Sequence, residues 1–241
     1  MTEKTSKKYR FSKKALYAVL PRRCALCEQV TAPDIGVCKA CQKDLPFISG
    51  SICHKCGREK EECLCGGFIC FYEGIYSPFY YEGALAKSIG GFKFRGKVQN
   101  AHYYAQEMAA FLDKFLCVES LDLVTCVPLS KKSRNKRGYN QSSLLARQVA
   151  AYLGKACNDK ALIKIYETPA QHSLPSLERR GNLIGAFEAD KKSDLSGKTV
   201  LLCDDIATTG ATLNECAKTL LLGGAKKVVC ATVAVTKKDI K

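Results

Sequence analysis

Thr199-Val-Leu-Leu-Cys-Asp-Asp-Ile-Ala-Thr-Thr-Gly-Ala-Thr212 is the stretch of this chain that decides its fold. The run Lys198 to Cys203 reads as a buried strand that delivers two adjacent acids, Asp204 and Asp205, to its carboxyl end. A small-residue loop leads straight into an amphipathic helix, Thr212 to Leu222, which ends at Gly223-Gly224, and Lys227 to Val235 reads as another strand. Strands separated by helices imply right-handed crossovers and a parallel sheet, whose ligands sit beyond the carboxyl ends of the strands.

The chemistry of the stretch follows from its order. Ala207, Thr208, Thr209, Gly210, Ala211 and Thr212 can offer successive backbone N–H groups and three hydroxyls to a phosphate, helped by the positive end of the helix dipole. Gly210 permits a close backbone approach. Asp204 and Asp205 would repel a phosphate placed directly on them, so the arrangement makes sense when a sugar lies between and the acids accept bonds from its hydroxyls. Ribose 5-phosphate fits that description. An αβ loop with capping residues is the plain alternative, but a cap needs one such residue rather than six.

Upstream, the apolar run Leu121 to Val127 reads as a further strand, followed by a helix from Ser142 to Leu153 with Ser142 as N-cap and Gly154 as C-cap. A second strand is expected at Ala161 to Tyr166, and a pair of short strands within Phe68 to Tyr81. Ala101, Tyr104, Ala105, Met108, Leu112 and Phe115 recur at helical spacing, which predicts a helix over Asn100 to Leu116 with an apolar stripe on the sheet. The loop after the Leu121–Val127 strand carries Lys131, Lys132, Arg134, Lys136 and Arg137, five cations in seven residues. Pro128, Leu129, Ser130, Lys131, Lys132, Arg137 and Asn140 are therefore candidates for the diphosphate side of the site or a mobile lid, and the excess charge suits a longer polyanion such as single-stranded DNA. Solvated loop charge is the rival reading.

Fifteen cysteines stand among 241 residues, and eight fall in tight pairs: Cys24 with Cys27, Cys38 with Cys41, Cys53 with Cys56, and Cys63 with Cys65. Each pair can present two thiolates to one ion, so four pairs imply two structural zinc sites. Proximity favours the first four cysteines on one ion and the last four on the other, although an interleaved pairing also meets the spacing. His54 and Cys70 are further donors close by. Dithiol redox chemistry is disfavoured by repetition of the pair and by the lack of a thioredoxin-like context. The odd cysteine count and an apolar patch, Ala15 to Leu20, too short for a secretory core lead us to expect no export signal and a reducing, cytoplasmic setting. No apolar run is long enough to cross a bilayer, so no membrane insertion is expected, and 46% apolar content is too rich for a disordered chain. The formal charge is +15, or about +11 once eight thiolates hold two dications. Polyanions are the natural partners.

The pattern of hydrophobic strand, Asp204-Asp205, two residues and Thr208-Thr209-Gly210 resembles the phosphoribosyl diphosphate (PRPP) signature of type I phosphoribosyltransferases. That resemblance implies that Asp204 and Asp205 serve catalysis by holding the ribose hydroxyls, that residues 207–212 hold the 5-phosphate, and that magnesium accompanies PRPP. A wider set of segments is similar to the ComF family of bacterial competence proteins: the zinc front end, Tyr81 to Gly96, Arg137-Gly-Tyr-Asn-Gln141, Gln171 to Phe187 and the PRPP-type loop, in the family's order. The resemblance implies a basic N-terminal segment at 1–23, a double zinc ribbon at 24–70 and a phosphoribosyltransferase-like α/β domain at 71–241. It also implies a hood over the site in which Gln171, Arg179 and Asn182 are the polar candidates, although Lys164-Ile-Tyr-Glu167 stands where the family often has an arginine-rich stretch. The implied role is natural transformation, with single-stranded DNA, a helicase-like ATPase and recombination mediators as partners. The acceptor of a transferase is not legible, and a DNA-binding adaptor that keeps the phosphosugar pocket is the rival. A Walker-type site at Gly91 to Lys97 fails because Val98 stands where a hydroxyl should reach magnesium. The three histidines support no nucleophilic triad.

Overall fold

The computed structural model describes residues 21–63, 65–66, 69–166, 183 and 185–237. By compactness the chain divides into two units, Met1–Leu45 and Pro46–Lys241. This division cuts the cysteine-rich segment in two, whereas the motif-based boundary stands at 70/71, and the second cysteine quartet belongs to the larger unit. Among the described residues, the first unit holds a tight turn closed by Cys24 N–H to the Gln29 carbonyl (2.8 Å) and a short helix, α1 (Lys39–Lys43).

The larger unit contains β1 (Ile75–Tyr76), β2 (Phe79–Tyr80), α2 (Gly83–Phe94), α3 (Asn100–Phe115) and β3 (Leu123–Cys126). There follow α4 (Lys131–Arg137), α5 (Gln141–Leu153), β4 (Ala156–Cys157), β5 (Leu162–Lys164), β6 (Phe187–Ala189), β7 (Thr199–Ala207), α6 (Ala211–Leu222) and β8 (Lys227–Val235). The main sheet runs β1-β8-β7-β3-β4 with β2 also on β8, and every pairing is parallel. A central parallel strand whose faces are covered by helices has no wet face, which explains the unbroken Val200-Leu-Leu-Cys203 run at 0% exposure. Helices flank the sheet. The stripe read on α3 is buried at Ala101, Tyr104, Ala105, Met108 and Leu112, with α5 and β8 as its neighbours.

Several elements differ from expectation for local reasons. The segment expected as a second parallel strand, Ala161 to Tyr166, pairs antiparallel with β6 in a separate ribbon, and the parallel neighbour of β3 is the two-residue β4. The lysine-arginine loop contains a helix, α4. Ser130 caps it by accepting from the Ser133 N–H (3.2 Å), and Gly138 ends it in the left-handed region at φ 78°. Helix α5 starts one residue early because Asn140, not Ser142, is its N-cap. Strand β7 continues through both acids to Ala207, so the turn between β7 and α6 is confined to Thr208, Thr209 and Gly210.

The buried centre of β7 should dominate stability. Leu201→Ala, at a fully buried position, should cost about 2–5 kcal/mol in urea unfolding, whereas Leu222→Ala, at 81% exposure, should change the midpoint hardly at all.

Candidate functional site

All main-sheet strands point the same way, so their carboxyl ends share one edge, and the acid pair lies on it. Asp204 stands in register with Thr232 of β8, and the Val127 N–H just past β3 donates to the Cys203 carbonyl (3.0 Å). The segment beginning at Pro128 therefore leaves the sheet beside the acids. Two side chains from other elements meet them. Lys93 Nζ, near the end of α2, lies 2.9 Å from Asp205 Oδ1, with both side chains largely buried. Ser142 Oγ, in the first turn of α5, donates to Asp204 Oδ1 (2.7 Å), which also accepts from the Asp205 N–H (2.9 Å). Burial first, and then the neighbouring Asp205 carboxylate, push the Asp204 acid up to about 7 against the lowering effect of Ser142 and Lys93.

The Arg137-Gly-Tyr-Asn-Gln141 segment braces this arrangement. Tyr139 donates its hydroxyl to the Phe92 carbonyl, and Gln141 Nε2 donates to the Lys93 carbonyl (3.0 Å). Arg137 stacks its guanidinium over the Phe94 ring (4.8 Å) and donates to Gln141 Oε1 (3.1 Å). Asn140 accepts the Ser142 N–H (3.1 Å) and donates to the Val127 carbonyl (3.1 Å), tying the start of α5 to the end of β3. Arg137 and Asn140 thus bond to protein groups.

Of the phosphate-loop residues, Ala207 closes β7, Thr208 to Gly210 form the turn, and Ala211 and Thr212 open α6. Gly210 has φ 74°, and a Cβ there would come within 3.1 Å of the Tyr72 hydroxyl. The Ala211 N–H is held by Thr209 Oγ1 (3.3 Å). Pro128, Leu129, Lys131 and Asn140 line a cleft of 530 Å³ together with Arg134, Asp159, Lys160, Lys164 and Lys192. The acid pair lies outside the described lining of this cleft. Gln171, Arg179 and Asn182 fall outside the described residues.

The eight paired cysteines come together as Cys24, Cys27, Cys38, Cys41 and as Cys53, Cys56, Cys63, Cys65, with the ligand atoms of each group within 4.8 Å of one another. Sulfurs around a tetrahedral zinc stand about 3.8 Å apart. Cys27 to Cys38 and Cys56 to Cys63 measure 3.8 Å and Cys53 to Cys65 3.6 Å, while Cys63 stands closer to Cys53 (3.3 Å) and to Cys65 (3.1 Å), so the first set matches that spacing and the second would open slightly around the ion. Burial opposes ionisation of Cys24, but the backbone donors of Cys27, Cys38 and Leu26 outweigh it and bring the thiol down to about 7. Cys63 is likewise lowered to about 7, first by the Cys65 backbone N–H. Cys203, Cys216 and Cys230, by contrast, are pushed well up by burial and act as small core residues.

The sequence does not mark Lys93 and Ser142 as site residues. Ser142 carries a misleading signal, since a serine at a helix start reads as a cap. Lys93 lies inside a Gly-aromatic-Lys-aromatic helix with no marker of where its ammonium ends up.

A parallel sheet with an acid pair and a threonine turn at its carboxyl edge, joined to two four-cysteine sites, defines a phosphoribosyltransferase-like protein with a double zinc ribbon. Residues 15–71 match the family model of the double zinc ribbon domain, and residues 139–240 that of the phosphoribosyl transferase domain. The chain is 29% identical to competence protein F of Haemophilus influenzae over 205 residues, covering 80% of this chain and 87% of that one. It is 28% identical to competence protein ComFC of Bacillus subtilis (80% of each chain) and 27% identical to DNA utilization protein YhgH of Salmonella typhimurium (85% and 86%). Over most of its length the chain is thus similar to proteins named for competence and for DNA utilization, and it carries both domain types.

Two measurements test the site's construction. Because Asp204 keeps its proton in the folded state up to about pH 7 but loses it near 3.8 when unfolded, stability should fall as pH rises through that window. Asp204→Asn should therefore raise the melting temperature little at pH 4 and most above pH 7. Cys56→Ser should lower bound zinc from two equivalents to one and destabilise the larger unit; Cys38→Ser should lose one equivalent and leave the main unfolding transition of that unit in place.

Proposed function

We propose that this chain binds a ribose 5-phosphate ligand, PRPP with magnesium foremost, at the carboxyl edge of its sheet, and that it serves the handling of single-stranded DNA in natural transformation, in the cytoplasm. The observation that carries the first half is the join of Asp204 and Asp205 to the Thr208–Gly210 turn at the start of α6. A sugar phosphate is the ligand that satisfies both parts, with hydroxyls toward the carboxylates and phosphate toward the turn. The names of the relatives, competence protein and DNA utilization protein, support the second half.

In this reading, Asp204 and Asp205 orient the ribose by accepting from its hydroxyls and stabilise positive charge that develops on the ring as the bond to diphosphate loosens. Magnesium, when bound, screens the diphosphate charge, and the two carboxylates are the hard oxygen donors available near it. Lys93 and Ser142 keep the acid pair placed before ligand arrives. Lys131 and Lys132 in α4 are the cations assigned to the diphosphate side, and Gln171, Arg179 and Asn182 are assigned to the hood. Two zinc ions hold the cysteine quartets. Transfer would require an acceptor nucleophile, and a helicase-like ATPase and recombination mediators are the protein partners that fit the role.

A second reading, a non-catalytic DNA adaptor, is favoured by the cleft in which Lys131, Arg134, Lys160, Lys164 and Lys192 outnumber Asp159 and Asp190. Titration of the purified chain separates the two. Under the transferase reading, PRPP with magnesium binds, Asp204→Asn/Asp205→Asn loses at least about tenfold in affinity, and diphosphate is released slowly with an acceptor. Indifference to PRPP, together with oligonucleotide binding whose log affinity falls with log salt at a slope of about −2 to −3.5, favours the adaptor.

A further inference from the structure

Arg58 is 4% exposed and follows directly on the first knuckle of the second cysteine quartet, Cys53 to Gly57. The knuckle is rigid and tightly seated. The Gly57 N–H and Cys53 carbonyl close it at 2.8 Å, the Cys53 N–H donates to the Arg58 carbonyl (2.7 Å), and the Ile75 N–H of β1 donates to the His54 carbonyl (2.8 Å). Gly57, at φ 72°, lets it approach so near that a Cβ would stand 3.0 Å from the Ile75 carbonyl. From there the Arg58 side chain reaches the far edge of the sheet. Its Nε donates to the Thr236 carbonyl (2.5 Å), and its Nη2 donates to the Thr208 carbonyl (3.1 Å) and lies 3.4 Å from Thr236 Oγ1.

These contacts have an orienting effect. In a planar trans peptide the C=O and the next N–H point in opposite directions. The Ala207 carbonyl is held by the Thr236 N–H (3.1 Å), and the Thr208 carbonyl by Arg58. Two successive carbonyls are thus drawn toward the end of β8, so the N–H groups of Thr208 and Thr209 are turned the other way, as in an anion-binding nest. Tyr72, whose hydroxyl donates to the Lys55 carbonyl of the same knuckle (2.8 Å), packs against Gly210. Arg58 also places a positive charge behind the turn. Among the described residues its partners are two carbonyls and a hydroxyl, and none of the ion pairs includes it. With zinc bound the neighbouring four-thiolate site would be net anionic, so Arg58 acts on the turn through its hydrogen bonds to the Thr208 and Thr236 carbonyls.

We propose that Arg58 is a positioning residue of the phosphate turn, so that the second cysteine quartet, by holding Arg58, helps set the affinity of the site for a phosphomonoester. This rests on the phosphosugar reading above and adds to it a task for the second zinc ribbon. The cysteine knuckle then acts on ligand binding without touching ligand.

The experiment uses the full chain with two zinc ions, ribose 5-phosphate and inorganic phosphate as probes, and amide chemical shifts of Thr208, Thr209 and Gly210 as a second readout. Arg58→Met should weaken both probes by roughly tenfold or more, and Arg58→Lys should recover part of the loss. Asp204→Asn/Asp205→Asn should weaken ribose 5-phosphate and spare inorganic phosphate, which separates the sugar side from the phosphate side. Cys56→Ser should shift the same turn amides as Arg58→Met. Should Arg58→Met fail to fold, Arg58→Lys and Thr236→Val, which loosens the anchor, carry the test through the amide shifts. Equal binding by Arg58→Met and the parent overturns the proposal, as do turn amides unmoved in the Arg58 variants. Failure of the parent itself to bind either probe instead overturns the phosphosugar reading, and the amide shifts then still decide whether Arg58 orders the turn.

Discussion

Two carboxylates adjacent in the chain and drawn from water at the end of a buried strand form the constraint around which this molecule is organised. Left alone they would repel each other and resist ionisation, and Asp204 does carry that strain in its raised pKa. The rest of the edge answers it. Lys93 neutralises Asp205, Ser142 donates to Asp204, and the Arg137–Gln141 segment locks both donors by bonding the end of α2 and the start of α5 to each other and to β3. These groups thereby hold the acid pair in a fixed geometry. Such preorganisation is costly to fold and useful to a ligand, since the reorientation of donors is complete before binding.

The turn beside the acids is held from the other side. Ala207 and Thr208 have their carbonyls drawn toward Thr236 and Arg58, and Gly210 meets Tyr72. The second cysteine quartet therefore belongs physically to the same compact unit as the sheet, although its spacing reads as part of a separate ribbon. A knuckle that gives two thiolates to a four-cysteine site is a sound base for a long arginine, because a bound metal would fix the backbone without demanding a hydrophobic core of its own.

The local patterns were legible wherever burial imposed a period. The β7 and β8 runs, the α3 stripe and the cysteine pairs appear in the structure much as their sequences read, because a buried strand needs continuous apolar residues and a metal knuckle needs paired donors. Where tertiary partners outweighed local preference, the reading slipped. Ala161 to Tyr166 has strand character but finds its partner in β6, outside the main sheet. A run of cations that looks like an open loop is coiled into α4 between a serine cap and a left-handed glycine.

By itself the sequence determined that a hydrophobic strand would end on Asp204-Asp205 and turn through threonines into a helix, and that eight cysteines would stand in four metal-binding pairs, since these depend on neighbours a few residues apart; which pairs share a site was settled by the fold. Tertiary structure alone decided that Lys93, Ser142 and Arg58 would meet the acids and the turn they serve. Ser142 reaches Asp204 across 62 residues of chain and Arg58 reaches Thr208 across 150, with Lys93 and Asp205 between these extremes. No local pattern encodes such meetings, because the partner of a long polar side chain is chosen by how the strands and helices pack and by the cost of leaving a buried charge without company.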